Sequence, residues 1–150
     1  MLLYIGADHK GYTLKEALKN NLIQQGYQPQ DVGNTANDSE DDYPKFAAAV
    51  GRSVQDSPTE ARGIVICGSG AGADIVANKF QGVRSVLGFS TDQVFDARRD
   101  DDVNVLALPA SFIDEEAAAQ IVKVFLATPF SGEERHKRRI AEITEIEQGR

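Results

Sequence analysis

The sequence lacks the features of a disulfide-rich, membrane-embedded or nucleic-acid-binding protein. Its 150 residues include a single cysteine, which excludes an internal disulfide and suits a reducing compartment. No apolar run approaches the roughly 20 residues that a membrane span needs. Lysine and arginine number 16 against 23 aspartates and glutamates, and the net charge of −7 argues against a nucleic-acid surface. We therefore expect a single cytoplasmic domain spanning residues 1–150, without a membrane or nucleic-acid partner.

Two familiar nucleotide-binding loops are also missing. No Gly-Lys dipeptide occurs in the chain, so there is no Walker A loop. A dinucleotide-binding fingerprint would need glycine where Ala73 stands and an acidic residue at the end of the next predicted strand, near Phe89. Neither is present, which leaves the match weak.

The most informative stretch runs from Gly63 to Gly72, where an apolar segment breaks into alternating glycines. A segment without polar alternation is typical of a strand covered on both faces. Cys67 would then lie at the carboxyl end of that strand, where ligands bind in open α/β sheets. Glycines at 68, 70 and 72 let the backbone approach an anion, and the positive end of a following helix favours a thiolate. Cys67 is thus a candidate reactive thiol, and a buried structural cysteine is the alternative.

Strand and helix patterns alternate along the chain. Strands are predicted at residues 2–5, 28–32, 63–67, 84–89 and 104–108. Thr13 with Glu16 has capping-box spacing for the first helix, and Ser90 with Gln93 has N-cap spacing for a later one. Residues 33–42 predict an acidic loop with solvated charges. The pattern predicts an α/β fold, a five-stranded parallel sheet with helices on both faces.

The last predicted helix combines an apolar stripe with a basic cluster. Ile140, Ile143 and Ile146 form the stripe. Arg135 and Arg139 lie four residues apart, so they share one helix face and could grip a phosphate. From these residues alone, a solvated basic face balanced by neighbouring glutamates is the more common outcome.

Several motifs occur together in one order and spacing. They are Gly6-Ala7-Asp8-His9-Lys10-Gly11, Asp42-Tyr43-Pro44, Cys67-Gly68-Ser69-Gly70-Ala71-Gly72, Ala77-Asn78-Lys79, Gly82-Val83-Arg84, Asn104-Val105-Leu106, Arg135-His136 and Arg139. With these motifs the chain resembles the type B ribose-5-phosphate isomerases, a family that also includes the subunits of galactose-6-phosphate isomerase. The resemblance covers nearly the whole chain.

The resemblance implies a Rossmann-like three-layer sandwich that works as a homodimer, or a dimer of dimers, with shared active sites. It implies aldose–ketose isomerisation of a sugar phosphate through an enediol, by default between ribose 5-phosphate and ribulose 5-phosphate, without a cofactor or a metal. Cys67 matches the base that moves the proton. Ser69 and the N–H groups of the loop match the anion hole that stabilises the enediolate; these N–H groups belong to Gly68, Gly70, Ala71 and Gly72.

The same resemblance assigns the binding residues. Asp8 and His9 match residues near the sugar hydroxyls and the phosphate, and Tyr43 matches a residue that lines the pocket. Arg135 and Arg139 match phosphate ligands that reach the partner subunit's site, which reverses the interpretation from the residues alone.

Three positions depart from the family pattern. The family commonly has a ring-opening histidine where Asp100 stands, so either Asp100 takes that role or Asp8 and His9 share it. Ser111 replaces a usual phosphate-binding arginine, which predicts weaker phosphate binding or a different ligand. Asp101 replaces a usual asparagine and adds a carboxylate, and a solvated loop is the alternative for these aspartates.

Other functions stay open beside the default. Some relatives use a glutamate as the base at the position of Ala73, and Asp74, one residue later, is a poorer candidate than Cys67. The substrate could be another pentose or hexose, phosphorylated or less charged, or the chain could be a non-catalytic sugar-phosphate sensor. A cysteine-dependent hydrolase is the least favoured reading, since no general-base histidine stands at a recognisable spacing.

Overall fold

A five-stranded parallel sheet forms the centre of the protein in a computed structural model that describes residues 1–149. The strands are β1 (Leu2–Ala7), β2 (Gln30–Asp31), β3 (Ala61–Cys67), β4 (Ser85–Leu87) and β5 (Val105–Pro109). Their order across the sheet is β2-β1-β3-β5-β4, and every neighbouring pair is parallel. The described helices are α1 (Tyr12–Gln24), α2 (Tyr43–Gln55), α3 (Ala71–Ala77), α4 (Thr91–Asp101), α5 (Glu115–Ala127) and α6 (Glu134–Gln148).

Helices cover both faces of the sheet, as predicted for an α/β sandwich. On one face, α1, α4 and α5 bury an apolar cluster that includes Leu18, Val94 and Phe125. On the other, α2 and α3 pack over a second cluster around Val50 and Ala73. β3 supplies side chains to both clusters, which explains why its sequence shows no polar alternation. The predicted fold class is confirmed.

The topology opens a crevice at the carboxyl ends of β1 and β3. These strands are neighbours, but β1 leads into α1 on one face whereas β3 leads into α3 on the other. Loops that leave in opposite directions cannot close over the edge of the sheet between them. The residues that follow β1 and β3 therefore line an open site.

One local prediction for the helices is wrong, and one is confirmed. α1 begins at Tyr12 after Gly11, with no side-chain cap, so Thr13 lies inside the helix and the capping box does not form. The isoleucine stripe of α6 is not core: Ile143 is 45% and Ile146 67% exposed. The Ser90 side chain does cap α4, accepting a hydrogen bond from the N–H of Gln93 at 3.2 Å.

None of the helices between residues 1 and 149 combines the length and the apolar composition that crossing a bilayer requires.

Candidate active site

A cleft of about 590 Å³ lies at the carboxyl edge of β1, β3 and β5. Its walls come from the loops after these three strands and from the segment that leads into α2. The lining residues are Asp8, His9, Lys10, Asp41, Asp42, Tyr43, Cys67, Gly68, Ser69, Gly72, Ser111 and Phe112. Seven of the residues predicted for the site are thus brought together around one space: Asp8, His9, Tyr43, Cys67, Gly68, Ser69 and Gly72.

Cys67 ends β3 and lines the cleft with 5% of its surface exposed. Its carbonyl accepts a hydrogen bond from the Ala110 N–H at 3.0 Å, and the Gly68 carbonyl accepts one from the Ser111 N–H at 2.9 Å. In the described chain, the N–H groups of Gly68 and Ser69 donate to no other residue. A nearly buried thiol thus lies beside backbone donors that are free for an anion.

Glycine is favoured at two positions after Ser69, Gly70 in the loop and Gly72 in the first turn of α3. Gly70, before α3, has a φ of 74°, in the left-handed region that disfavours a side chain. At Gly72, a Cβ atom would lie 2.6 Å from the Cζ atom of Tyr43, so the absence of a side chain lets the Tyr43 ring approach α3. Gly70 and Ala71, both predicted for the anion hole, do not line the cleft: Gly70 is buried, and Ala71 is the exposed first residue of α3.

Asp8 and His9 follow β1 directly and are held by different hydrogen bonds. The buried Asp8 carboxylate accepts from the Gly11 N–H at 3.0 Å. His9 donates its backbone N–H to Asp41 Oδ1 at 3.0 Å, and its ring Nδ1 lies 2.6 Å from the same oxygen. The second oxygen of Asp41 accepts from Asn34 Nδ2 at 2.7 Å. These contacts fix the His9 ring in the cleft and leave Nε2 as its ring nitrogen for a ligand.

Asp41 contradicts the prediction that the 33–42 loop carries only solvated charges. Its side chain is 9% exposed and bridges this loop to the one after β1. Behind it, the fully buried Lys15 donates through Nζ to the Asn34 carbonyl and to Asp31, each at 2.6 Å. A buried ammonium with such partners anchors the loop that holds Asp41.

The ion pair between His9 and Asp41 changes the pKa of both groups. The hydrogen bond to Asp41 raises the pKa of His9 above its usual value of 6.5, helped by Asp8 and opposed by partial burial and by Lys10. Burial of Asp41 disfavours its ionisation, but the hydrogen bonds from His9 and Asn34 outweigh this and lower its pKa. His9 therefore holds its positive charge at a higher pH than an isolated histidine.

We expect an NMR titration of the two histidines to show His9 titrating above 6.5 and Asp41→Asn to lower its pKa. Both pKa shifts make the stability of the fold depend on pH. His9 has a raised pKa, so its contribution is complete below 6.5 and is lost as the pH rises through the raised value. Asp41 has a lowered pKa, so its contribution is present above 3.8 and is lost as the pH falls through the lowered value. An unchanged His9 pKa in Asp41→Asn would contradict the pairing.

Among the described residues, one group has donor atoms close enough together to suggest a cation site. It consists of Asp8, His9 and Asp41, whose donor atoms all lie within 4.8 Å of one another. The short contact between Nδ1 of His9 and Asp41 is, however, a hydrogen bond that needs a proton between the two atoms. A metal would need lone pairs from both atoms instead. The contact between Nδ1 and Asp41 is thus that of an ion pair, and these two atoms do not share a metal.

The remaining predicted residues lie outside the cleft of their own chain, at the edge formed by α4 and α6. Asp100 accepts from Arg99 Nε at 2.7 Å and lies 3.6 Å from Nδ1 of the buried His136. The hydrogen bond from Arg99 lowers the pKa of Asp100, with smaller contributions from His136 and Arg135. Asp100, Arg135 and His136 therefore form a second group of neighbouring charges.

Asp101, Arg139 and Asp74 also lie outside the cleft. Asp101 lines a groove beside Ile143 and Ile146, and Arg139 is exposed on α6. Asp74 faces β4, where its carboxylate accepts from the Ser85 hydroxyl at 2.7 Å, and burial raises its pKa. Asp74 does not line the cleft, which leaves Cys67 as the better candidate base of the two.

Sequence reasoning assigned no site role to four residues of the cleft wall, which are Lys10, Asp41, Asp42 and Phe112, whereas Ser111 lies in the cleft, as its match to a phosphate-binding position implies. Lys10 and Asp42 adjoin predicted site residues in the sequence, and this adjacency was the available signal. Ser111 follows β5, whose carboxyl end could have been placed beside that of β3 had the strand order been known.

Comparison with known proteins shows which family has this architecture. Residues 3–143 match the family model described as Ribose/Galactose Isomerase. The chain is 39% identical to a ribose-5-phosphate isomerase B of Mycobacterium tuberculosis over 98% of its length and 90% of that protein's. With its counterpart from Escherichia coli it shares 37% identity, over 97% and 95% of the two chains.

Solved structures agree with this similarity. Ribose-5-phosphate isomerase B from Mycoplasma genitalium, crystallised with ribulose-5-phosphate, superposes with a TM-score of 0.94 at 37% identity, over 97% of this chain and 95% of that one. The Clostridium thermocellum enzyme gives the same TM-score of 0.94 and identity of 37%, with 99% of each chain covered. The chain therefore belongs to the ribose/galactose isomerase family, within the type B ribose-5-phosphate isomerases.

Proposed function

We propose that this protein is an aldose–ketose isomerase that interconverts ribose 5-phosphate and ribulose 5-phosphate. The observation that carries the proposal is Cys67, a nearly buried thiol on the wall of a cleft beside N–H groups without partners. Family membership over nearly the whole chain, and a relative crystallised with ribulose-5-phosphate, support the choice of substrate.

In the proposed reaction, the Cys67 thiolate removes the proton from C2 of the open-chain aldose. The electron pair of that bond forms the double bond between C1 and C2, and negative charge develops on O1. The N–H groups of Gly68 and Ser69, with the Ser69 hydroxyl, stabilise this enediolate oxygen. The proton of the O2 hydroxyl passes to O1. As O2 becomes the carbonyl, the electron pair of the double bond takes the first proton back from the Cys67 thiol at C1, which yields the ketose and regenerates the thiolate. The step is internally balanced and needs no external oxidant or reductant.

The test is proton NMR in deuterated water on a panel of aldose and ketose phosphates, pentoses and hexoses. Interconversion or deuterium uptake next to the carbonyl would support the isomerase and identify its best substrate, including another pentose or hexose. Binding of a sugar phosphate without exchange on any sugar would instead leave the non-catalytic sensor.

We further propose that the protein is a homodimer in which Arg135 and Arg139 of the partner subunit complete each cleft. Large apolar side chains are exposed at the cleft rim and on α6, with Phe112 at 78% and Ile146 at 67%. Among the described α6 residues only His136 is buried, so this helix has an apolar side that its own chain does not cover. A second copy of the chain is the occupant that closed symmetry favours.

Asp100 and Asp101 would approach the partner's cleft together with these arginines. Ring opening then falls either to Asp100 of the partner subunit or to Asp8 with His9 of the same chain. In the first case Asp100→Asn slows turnover of the cyclic sugar, and in the second Asp8→Asn does so while Asp100→Asn has little effect.

Shared sites predict complementation between inactive variants. We expect Arg135→Ala/Arg139→Ala to lose at least about tenfold in kcat/KM, because two charged phosphate contacts are removed. Cys67→Ala dimers lack the base. Unfolding and refolding an equal mixture should restore about a quarter of the wild-type activity, since half of the dimers become hybrids with one intact site. Activity equal to the average of the two separate variants would contradict a shared site, and sedimentation velocity checks the dimer itself.

A further inference from the structure

Lys10 has no role in the reaction proposed above, yet it lines the cleft. It follows His9 in the loop after β1, and its side chain crosses Gly68. A Cβ atom at position 68 would lie 2.8 Å from Lys10 Cδ and 3.3 Å from Ser111 Oγ. Glycine at 68 therefore leaves the space that the lysine stem occupies, and it brings Lys10 and Ser111 to the same part of the wall.

The ammonium group of Lys10 is available for a ligand. The residue is exposed, and within residues 1–149 no hydrogen bond or ion pair joins its Nζ to another residue. Two acidic groups of the same wall already have partners. Asp41 is held by His9 and Asn34, and Asp8 accepts from the Gly11 N–H.

The charge of the wall makes a cation important for any phosphorylated ligand. Asp8, Asp41 and Asp42 place three carboxylates on it. A phosphate monoester carries close to two negative charges at neutral pH, so these carboxylates repel it. Among the described residues Lys10 is the sole lysine or arginine on the wall, and protonated His9 is the other cation.

We propose that Lys10 binds the phosphate group of the substrate, next to His9 and Ser111. The inference rests on the proposed function, because that function supplies the phosphorylated sugar. Ser111 is held in place by its N–H, which donates to the Gly68 carbonyl at 2.9 Å, and its hydroxyl lies close enough to Lys10 to share a phosphate oxygen. Lysine is a point charge on a flexible stem, so it selects for a phosphate without fixing its distance from the reacting carbons. Lys10 would thus favour phosphorylated over neutral sugars of the same length.

The test compares Lys10→Met with Lys123→Met, which makes the same change of charge on the exposed surface of α5, away from the cleft. We expect Lys10→Met to raise the KM for ribose 5-phosphate at least about tenfold, as the loss of one charge-assisted hydrogen bond implies, with a smaller change in kcat. Lys123→Met should behave as the wild type, and Lys10→Arg should recover most of the affinity. Lys10→Met/Ser111→Arg should also recover it, because an arginine at 111 returns a cation to the same part of the wall.

Binding of inorganic phosphate, followed by calorimetry on the folded protein, separates this inference from the proposed function. If the wild type shows no isomerisation but binds phosphate more tightly than Lys10→Met, the inference holds and the proposed function fails. If the wild type is active while Lys10→Met keeps both its KM and its phosphate affinity, the inference is overturned and the proposed function stands. Equal thermal melting of the variants shows that the comparison concerns binding.

Discussion

Replacing Cys67 with alanine is expected to lower kcat by about a thousandfold, within the range typical of removing a general acid–base group. The thiol sulfur is the group proposed to carry the proton between C1 and C2, and no other thiol exists in the chain to replace it. KM should change little, because the groups proposed to hold the phosphate are Lys10, His9 and the partner's arginines. Deuterium exchange at the carbon next to the carbonyl, followed by proton NMR, measures the proton transfer directly.

Cys67→Ser is the matched control for shape. A serine hydroxyl nearly preserves the volume of the thiol but ionises far less readily near neutral pH, so this variant should also lose exchange. Calorimetry with ribulose 5-phosphate should show that both variants still bind a sugar phosphate. Wild-type exchange in Cys67→Ala would show that the base lies elsewhere, and Asp8, the buried carboxylate of the same cleft, would be the next candidate.

The parts of the site that sequence reasoning located are those close together in the chain. Cys67, Gly68, Ser69 and Gly72 form one short segment, and the apolar run before them marks a buried strand. Asp8 and His9 follow a second predicted strand, and because the carboxyl ends of parallel strands meet at one edge, that strand brings them to the edge where Cys67 lies, while the resemblance assigns their binding role. This property of parallel sheets was therefore sufficient to bring Asp8 and Cys67, which are nearly 60 residues apart in the chain, to the same edge.

The pairing between His9 and Asp41 could not be found in this way. The two residues are 32 positions apart, and one of them belongs to a loop without periodicity. Its acidic composition is typical of a solvated loop, and only the fold shows that the buried Lys15 pulls this loop inward. Contacts that depend on the path of an irregular loop leave no signal in residue spacing.

The apolar stripe of α6 shows a different limit of prediction from sequence. The pattern correctly predicted an amphipathic helix, but it could not indicate what covers the apolar side. In the structure Ile143 and Ile146 are exposed on their own chain, while the same helix carries Arg135 and Arg139. A stripe looks the same whether its partner is the core or a second subunit, so the prediction of a homodimer depends on the resemblance and on this exposed side.

Gly70→Ala is expected to lower kcat by about a hundredfold, the loss associated with moving catalytic groups by roughly 1 Å. Gly70 has a φ of 74°, and a Cβ atom there would meet Leu87 Cδ1 and lie 3.0 Å from the Pro109 nitrogen. The Pro109 nitrogen belongs to the backbone of β5 in the middle of the sheet, so the loop must move and not the strand. The movement shifts the N–H groups of Gly68 and Ser69 away from the enediolate oxygen, which should reduce kcat far more than substrate binding. Steady-state kinetics with ribose 5-phosphate measures both constants.

Gly26→Ala separates the effect of steric contact from that of backbone strain. Gly26 also has a positive φ, 88°, but a Cβ atom there would meet nothing within 4 Å, and the residue lies after α1, away from the cleft. Both substitutions place alanine in the left-handed region, at a cost of about 1–2 kcal/mol, so both should lower the melting temperature by several degrees. Only Gly70→Ala should lose turnover. If the two variants kept the same kcat, the position of the glycine loop would not limit the reaction, and stabilisation of the enediolate would have to come from side chains such as Ser69.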